Sequence, residues 1–180
     1  VMTALLLRHV PIPDADRRLR RRDWQYWAGR PTGLRTELGG STIGLLGYGH
    51  IGKAIAVRAK AFGLRVSVAN RTAVTPGPLV DAYHPLSDLP VFMASADAIV
   101  VSLPHLPQTT GIVDAAAMAA MRPDAVILNV GRGPVIDEAA LYDALAARRI
   151  GGAGTATSYP HPPAAAPGPS PRGRPLETRH

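Results

Sequence analysis

Three glycines, Gly47, Gly49 and Gly52 in the stretch GYGHIG, follow a short apolar run and precede an alanine-rich stretch. In this spacing the first glycine allows a tight turn, the second lets the backbone approach a pyrophosphate, and the third lets a helix pack closely on a strand. Amide groups at the start of that helix would face the anion, and each contact contributes about 0.3–1 kcal/mol. The pattern predicts a dinucleotide-binding turn; the alternative is a purely structural turn between strand and helix.

The end of the next predicted strand bears on the choice of dinucleotide. Asn70 lies there, 23 residues after Gly47, followed by Arg71 and Thr72. Dinucleotide-binding folds usually have an acidic residue at this point, which accepts hydrogen bonds from ribose hydroxyls. A guanidinium and a hydroxyl suit a 2′-phosphate better than a free 2′-hydroxyl. We therefore favour NADP over NAD as the cofactor; the alternative is an Arg71 that only points to solvent.

A single arginine, Arg132 in NVGRG, follows another apolar run. Open α/β sheets bind their ligands at the carboxyl ends of the strands, and Arg132 is expected at that edge. Its guanidinium can hold the carboxylate of a 2-oxo acid in a fork and polarise the neighbouring carbonyl group. Arg132 is therefore the candidate catalytic residue; a capping role or a structural ion pair is the alternative.

Alternating strands and helices must position these residues. We predict strands at 42–46, 64–70, 97–104 and 125–130, helices at about 50–62, 114–121 and 137–149, a short helix near LSDLPVFMAS, and a loop around TPGP. Apolar strands separated by helices are typical of a parallel sheet that is covered on both faces. The predicted fold class is α/β: a Rossmann-type doubly wound parallel sheet without its last strands, with an N-terminal linker helix and a disordered C-terminal tail.

The chain divides into three predicted segments: an interdomain helix and linker at 1–36, interrupted by PIP, a dinucleotide-binding domain at 37–154, and a disordered tail at 155–180. The tail assignment rests on the seven prolines between 160 and 175, which leave neither a strand nor a helical period. A length of 180 residues is sufficient for one domain of this kind with a core of its own.

Composition limits the partners. The net charge of +7 comes mainly from RRLRRR and from three arginines after residue 170, without interleaved aromatic residues, so we expect no nucleic-acid partner. No apolar run approaches the roughly 20 residues that span a bilayer, so we expect no membrane partner and a cytoplasmic location. The chain has no cysteine, which excludes thiolate ligands, and we predict no metal site.

Residues 38–151 resemble the nucleotide-binding domain of D-isomer-specific 2-hydroxyacid dehydrogenases. The resemblance rests on ELGGSTIGLLGYGHIGKAIAVRAKAFGLRV and, more specifically, on ADAIVVSLPHLPQTTGIVDAAAMAAMRPDAVILNVGRGPVIDEAALYDALAARRIGGA. It implies a nicotinamide dinucleotide as cofactor, a small 2-oxo acid as substrate of the two-domain enzyme, and a homodimer formed through the cofactor domain.

The same resemblance implies roles for individual residues. The pyrophosphate would contact Gly47, Gly49, His50 and Ile51, and the adenosine ribose would contact Asn70, Arg71 and Thr72. The ribose and nicotinamide side would be lined by Leu103, Pro104 and Thr109, with Val130 and Gly131 beneath the ring and Arg132 as the catalytic arginine.

The chain departs from the family in three places. The family's histidine and glutamate pair for proton transfer has no counterpart with matching surroundings, and the later candidates are His161, Glu177 and His180. Ala156 stands where the family has an aspartate that holds the nicotinamide carboxamide. The body of the substrate domain is also missing, and a frameshift would explain the abrupt change to a Pro-rich tail.

Two further hypotheses follow from these departures. One is a dinucleotide-sensing module without catalysis, of the kind found among transcriptional corepressors, and the other is an unstable, non-functional fragment. Because general acid–base catalysis supplies about 10²–10⁴-fold, we expect the chain as given to be weakly active or inactive on 2-oxo acids.

Overall fold

A parallel sheet of six strands organises the computed structural model, which describes residues 1–9, 12–23 and 37–156. The strands are β1 (Thr42–Leu46), β2 (Arg65–Asn70), β3 (Ala82–Pro85), β4 (Ala98–Val101), β5 (Val126–Asn129) and β6 (Gly152–Thr155). Their order across the sheet is β3-β2-β1-β4-β5-β6, and every neighbouring pair is parallel. The chain therefore reverses its direction of travel between β1 and β4, which is where doubly wound sheets open a ligand crevice.

Helices cover both faces of this sheet and confirm the predicted doubly wound α/β class. They are α1 (Met2–His9), α2 (Ile12–Arg20), α3 (His50–Ala61), α4 (Leu89–Ala94), α5 (Ala115–Ala120) and α6 (Glu138–Ala146). One apolar cluster joins the sheet to α4, α5 and α6 through residues such as Phe92 and Met118, and the other joins it to α1 and α3 through Leu5 and Ile55. Strands β4 and β5 are buried at every position, which explains their continuous apolar sequences.

The N-terminal segment contributes to the core, although its sequence suggested no core of its own. The side chain of Leu5 is only 2% exposed and belongs to the cluster beneath α3. The Arg8 guanidinium donates hydrogen bonds to the carbonyl oxygens of Asp124 and Gly151, which lie just before β5 and β6. Helix α1 is therefore fixed to the amino edge of the sheet, opposite the edge at which open α/β sheets bind ligands.

Two strands were not predicted from the sequence. We expected a loop where the structure has β3, whose sequence AYHP is short, half-buried and bonded only to β2. Strand β6, with the sequence GAGT, likewise pairs only with β5 and continues one residue past the expected end of the regular pattern at Gly154. Both are edge strands, and their neighbours rather than their own side chains determine the pairing.

Some expectations concern residues outside those described. These residues are 10–11 and 24–36 of the predicted linker segment and 157–180 of the predicted tail, which includes His161, Glu177 and His180. The expected disorder and the expected domain limits therefore stay predictions. Within the described ranges, no helix combines the length and the apolar character that crossing a membrane requires.

Candidate dinucleotide-binding site

The glycine turn at the end of β1 is shaped by the sheet around it. Gly47 has a φ of +103°, which favours glycine, and its N–H donates to the Ala69 carbonyl oxygen at 2.8 Å. A Cβ atom on Gly52 would overlap the Gly47 carbonyl oxygen, so only glycine allows α3 to lie this close to β1. Two of the three predicted glycines are therefore needed by the protein itself.

Gly49 differs from its two neighbours because nothing in the protein requires it to be glycine. Its φ of −82° suits any residue, and a Cβ atom built on it would meet no protein atom within 4 Å. The open space lies directly before the first turn of α3, where the Lys53 N–H already bonds to the Gly49 carbonyl at 2.9 Å. The earlier amides of the helix have no carbonyl within the helix to bind, so the site fits a pyrophosphate.

His50 and Ile51 begin helix α3, and both side chains are exposed. Their backbone amides are among those that α3 leaves without an intrahelical partner. The structure therefore places both residues at the edge where the resemblance puts the pyrophosphate, through their backbone rather than through their side chains.

Asn70 connects the ends of β1 and β2. Its Oδ1 accepts a hydrogen bond from the Tyr48 N–H at 3.4 Å, and its Nδ2 donates to the Thr72 carbonyl oxygen at 3.0 Å. The side chain therefore orders the loops, while Arg71 and Thr72 beside it are exposed. Among the described residues, no carboxylate lies within ion-pair distance of Arg71.

The loop after β4 contains Thr109, one of the predicted cofactor-lining residues, whose hydroxyl bonds to the backbone of that loop. Its hydroxyl donates to the Pro104 carbonyl oxygen at 2.6 Å and accepts from the Leu106 N–H at 2.9 Å, and the residue is only 8% exposed. Leu103 is buried, and Pro104 is exposed on the same loop. The Thr109 hydroxyl is therefore used within this loop, where it bonds to the backbone on the N-terminal side of Thr109.

Two polar residues at this edge were not found by sequence reasoning. The Ser102 hydroxyl donates to the Gly47 carbonyl oxygen at 3.1 Å, which ties the end of β4 to the glycine turn. Asn129 is 2% exposed; its Oδ1 accepts from the Gly131 N–H and its Nδ2 donates to the Arg132 carbonyl oxygen, both at 3.0 Å. A polar residue at or next to the end of a buried strand was the signal available in both cases.

Asn129 holds the loop that contains the candidate catalytic arginine. A Cβ atom on Gly131 would lie 2.6 Å from the Leu103 carbonyl oxygen, so this loop and the loop after β4 are in direct contact. Val130 is half-buried and packs against the apolar cluster on the α1 side. The Arg132 side chain is exposed, and its Nη1 donates a hydrogen bond to the Gly131 carbonyl oxygen at 3.2 Å. It does not cap the following turn, and it pairs with no carboxylate among the described residues.

The predicted residues thus come together along one edge of the sheet, at the carboxyl ends of β1, β2, β4 and β5. Ala156 follows β6 at the same edge, and its N–H donates to the Asn129 carbonyl oxygen at 2.9 Å. The described residues include no cluster of three or more side chains able to hold a metal ion. This edge offers free amides, an open space at Gly49 and two exposed guanidinium groups, which suit an elongated anion.

Comparison with known proteins agrees with this geometry. The chain is 38% identical over 153 residues to D-3-phosphoglycerate dehydrogenase of Mycobacterium bovis, covering 85% of this chain and 28% of that protein. A D-isomer specific 2-hydroxyacid dehydrogenase from Xanthobacter autotrophicus Py2, solved with NADPH and MES, superimposes with a TM-score of 0.75 at 32% identity, over 93% of this chain and 51% of that one. D-lactate dehydrogenase from Lactobacillus jensenii, solved with NAD+, gives a TM-score of 0.72 at 28% identity, over 87% and 46%.

The chain therefore spans about half of each solved relative and a smaller part of the mycobacterial enzyme. Residues 2–170 match the family model described as D-isomer specific 2-hydroxyacid dehydrogenase, NAD binding domain. With its sheet order, its glycine turn and this match, the chain belongs to the D-isomer-specific 2-hydroxyacid dehydrogenases and contains their NAD-binding domain.

Proposed function

We propose that this chain binds a nicotinamide dinucleotide, NADP in preference to NAD, along the carboxyl edge of its sheet. We further propose that the complete enzyme transfers a hydride between this cofactor and a small 2-oxo or 2-hydroxy acid. The observation that supports binding most directly is the open space at Gly49, because neither backbone conformation nor packing explains a glycine there.

Each part of the edge has a role in this proposal. The amides at the start of α3 hold the pyrophosphate, and the exposed Arg71 and Thr72 face the 2′-phosphate of NADP. Leu103, Pro104, Val130 and Gly131 form the wall on the nicotinamide side. The preference for NADP rests on Arg71, which has no carboxylate partner among the described residues.

Arg132 is the proposed catalytic residue. When bound, a nicotinamide cofactor supplies or accepts the hydride. The Arg132 guanidinium donates two parallel hydrogen bonds to the substrate carboxylate and stabilises the negative charge that develops on the carbonyl oxygen. Asn129 fixes the backbone from which Arg132 projects, because it bonds to residues 131 and 132. We propose no proton donor from the described residues.

Calorimetric titration of the chain with NADPH tests the binding proposal. We expect Gly49→Val to abolish detectable binding, because the branched side chain occupies the space in front of α3. Gly77→Val is a matched control: a Cβ atom there also meets no atom within 4 Å, and Gly77 bonds to Val80, next to the ion pair between Asp81 and Lys60 and away from the glycine turn. Unchanged NADPH affinity in Gly49→Val would show that this glycine has no ligand-binding role.

Hydride transfer is tested separately, by following NADPH absorbance with glyoxylate or hydroxypyruvate. We expect negligible turnover by the 180-residue chain, and Arg132→Ala is the control. Steady oxidation of NADPH that disappears in Arg132→Ala would contradict that expectation and would support Arg132 as the catalytic residue.

Dinucleotide sensing without catalysis is the second candidate function. It is favoured by Ala156, which lies at the end of β6 where the resemblance places an aspartate. Limited proteolysis with and without NADPH distinguishes this function from a non-functional fragment, because ligand binding protects a folded sensor. A cytoplasmic location and a homodimer stay predictions.

A further inference from the structure

Helix α3 presents a second cation toward the end of β2, in addition to Arg71. The ammonium group of Lys53 lies over the ring of Tyr48, 5.9 Å from its centroid. Tyr48 lies between Gly47 and Gly49 in the glycine turn, and its N–H donates a hydrogen bond to Asn70 Oδ1 at 3.4 Å. The residue whose ring lies beneath the Lys53 ammonium group is therefore hydrogen-bonded to Asn70, the last residue of β2. Arg71 is the next residue along the chain.

A second contact shows which flank of α3 Lys53 occupies. Lys53 and Lys60 are seven residues apart, which is two helical turns, so they lie on the same flank. Lys60 Nζ pairs with Asp81 at 2.5 Å, and Asp81 also accepts a hydrogen bond from the Val66 N–H at 2.6 Å. This flank therefore faces β2 and β3 rather than β4.

The distances along the two elements agree with this placement. Two turns of helix move Lys53 about 10 Å from Lys60 toward the carboxyl edge of the sheet. The same direction along β2 leads from Val66 to Asn70, a rise of about 13 Å. Lys53 is therefore level with the end of β2.

Lys53 also has no carboxylate partner among the described residues. Its side chain is exposed, and no carboxylate among the described residues lies within ion-pair distance of it. The same is true of Arg71. Two cations without a carboxylate partner at one strand end suit a phosphate monoester, which has a charge of about −1.5 to −2 near neutral pH.

We propose that Lys53, positioned by the Tyr48 ring, is a second specificity-determining cation for the 2′-phosphate of NADP, acting beside Arg71. This inference rests on the proposed function, since it assigns one more residue to the same cofactor site. Tyr48 acts only as a positioning residue, because its ring holds the ammonium group in place and does not itself contact the phosphate.

Calorimetry of the full chain with 2′,5′-ADP and with 5′-AMP tests the proposal, because these two probes differ only in the 2′-phosphate. We expect the parent chain to bind 2′,5′-ADP more tightly than 5′-AMP. Lys53→Met should weaken 2′,5′-ADP about fivefold, the value of one partly exposed ion pair, and leave 5′-AMP unchanged. Tyr48→Leu should lose part of the same affinity, whereas Tyr48→Phe should match the parent.

Arg58→Met is the matched control on the same helix. Its guanidinium is exposed and donates to the Ala54 carbonyl oxygen at 2.8 Å, and it lies five residues from Lys53 on a different flank. We expect this variant to bind both probes as the parent does. A loss equal to that of Lys53→Met would show a general effect of charge on α3 and would overturn the proposal.

The remaining outcomes separate this proposal from the proposed function. If the parent prefers 2′,5′-ADP and Lys53→Met keeps that preference in full, the role proposed for Lys53 is wrong. The proposed cofactor site is not contradicted by that result. An equal loss for both probes in Lys53→Met would place the ammonium at the phosphate they share, which also overturns the proposal. A parent that binds neither probe would overturn the proposed function and this inference together, and full 2′,5′-ADP affinity in Tyr48→Leu would overturn the positioning role of the ring.

Discussion

Replacing Asn129 with alanine should destabilise the protein and release the loop that contains Arg132. Asn129 is 2% exposed, and its side chain satisfies both the buried Gly131 N–H and the Arg132 carbonyl oxygen at 3.0 Å. A buried N–H that loses its partner costs about 1–3 kcal/mol, and the lost bond to the partly exposed carbonyl adds about 0.5–1.5 kcal/mol. We therefore expect Asn129→Ala to lower the free energy of unfolding by about 2–4 kcal/mol.

Urea denaturation followed by circular dichroism measures this loss. With a slope of about 2 kcal/mol per molar urea, the midpoint should fall by about 1–2 M. Asn70→Ala is the matched control, because Asn70 also bonds to two backbone groups at the same edge but is only half-buried, with one bond as long as 3.4 Å. Water can replace those bonds, so we expect a loss below about 1 kcal/mol. Equal losses in the two variants, within about 0.5 kcal/mol, would refute the assignment of Asn129 as the buried support of this loop.

Two other predictions concern the packing of α3 and the ion pair at its far end. Gly52→Ala should lower the free energy of unfolding, because overpacking against the Gly47 carbonyl costs about 1–3 kcal/mol and outweighs the gain of about 1 kcal/mol in helix propensity. Thermal unfolding measures the loss, and Gly77→Ala, where a Cβ atom meets open space, should not destabilise. The hydrogen bond from Lys60 and, to a smaller extent, that from the Val66 N–H hold the pKa of Asp81 below its ordinary value. The Asp81 carboxylate therefore contributes to stability above its unfolded pKa, and this contribution is lost as the pH falls through its folded pKa. Because the Asp81 side chain is 41% exposed, Asp81→Asn should cost no more than about 1 kcal/mol at pH 7. Urea midpoints of parent and variant should converge as the pH falls through the folded pKa of Asp81, which lies below 3.8, and a difference that persisted at still lower pH would contradict the ion-pair account.

The sequence alone determined the fold class of this protein and the edge of the sheet at which its candidate site lies. Apolar runs at β1, β4 and β5, separated by helical stretches, are sufficient to predict a doubly wound parallel sheet, because strands covered on both faces have no polar face to alternate. The spacing of Gly47, Gly49 and Gly52 similarly predicts the turn, since Gly47 and Gly52 meet steric needs of the protein and Gly49 leaves open space in front of α3.

The tertiary structure decided which strands complete the sheet and what each polar residue does. Strands β3 and β6 have no strong pattern of their own, because an edge strand is defined by hydrogen bonds to a neighbour that is distant in sequence. The roles of Ser102 and Asn129 depend on backbone groups of other loops, and no spacing within the sequence encodes such a partner. Only the structure distinguishes the surroundings of Gly49 from those of Gly47 and Gly52, because the space around a residue is a property of the folded chain.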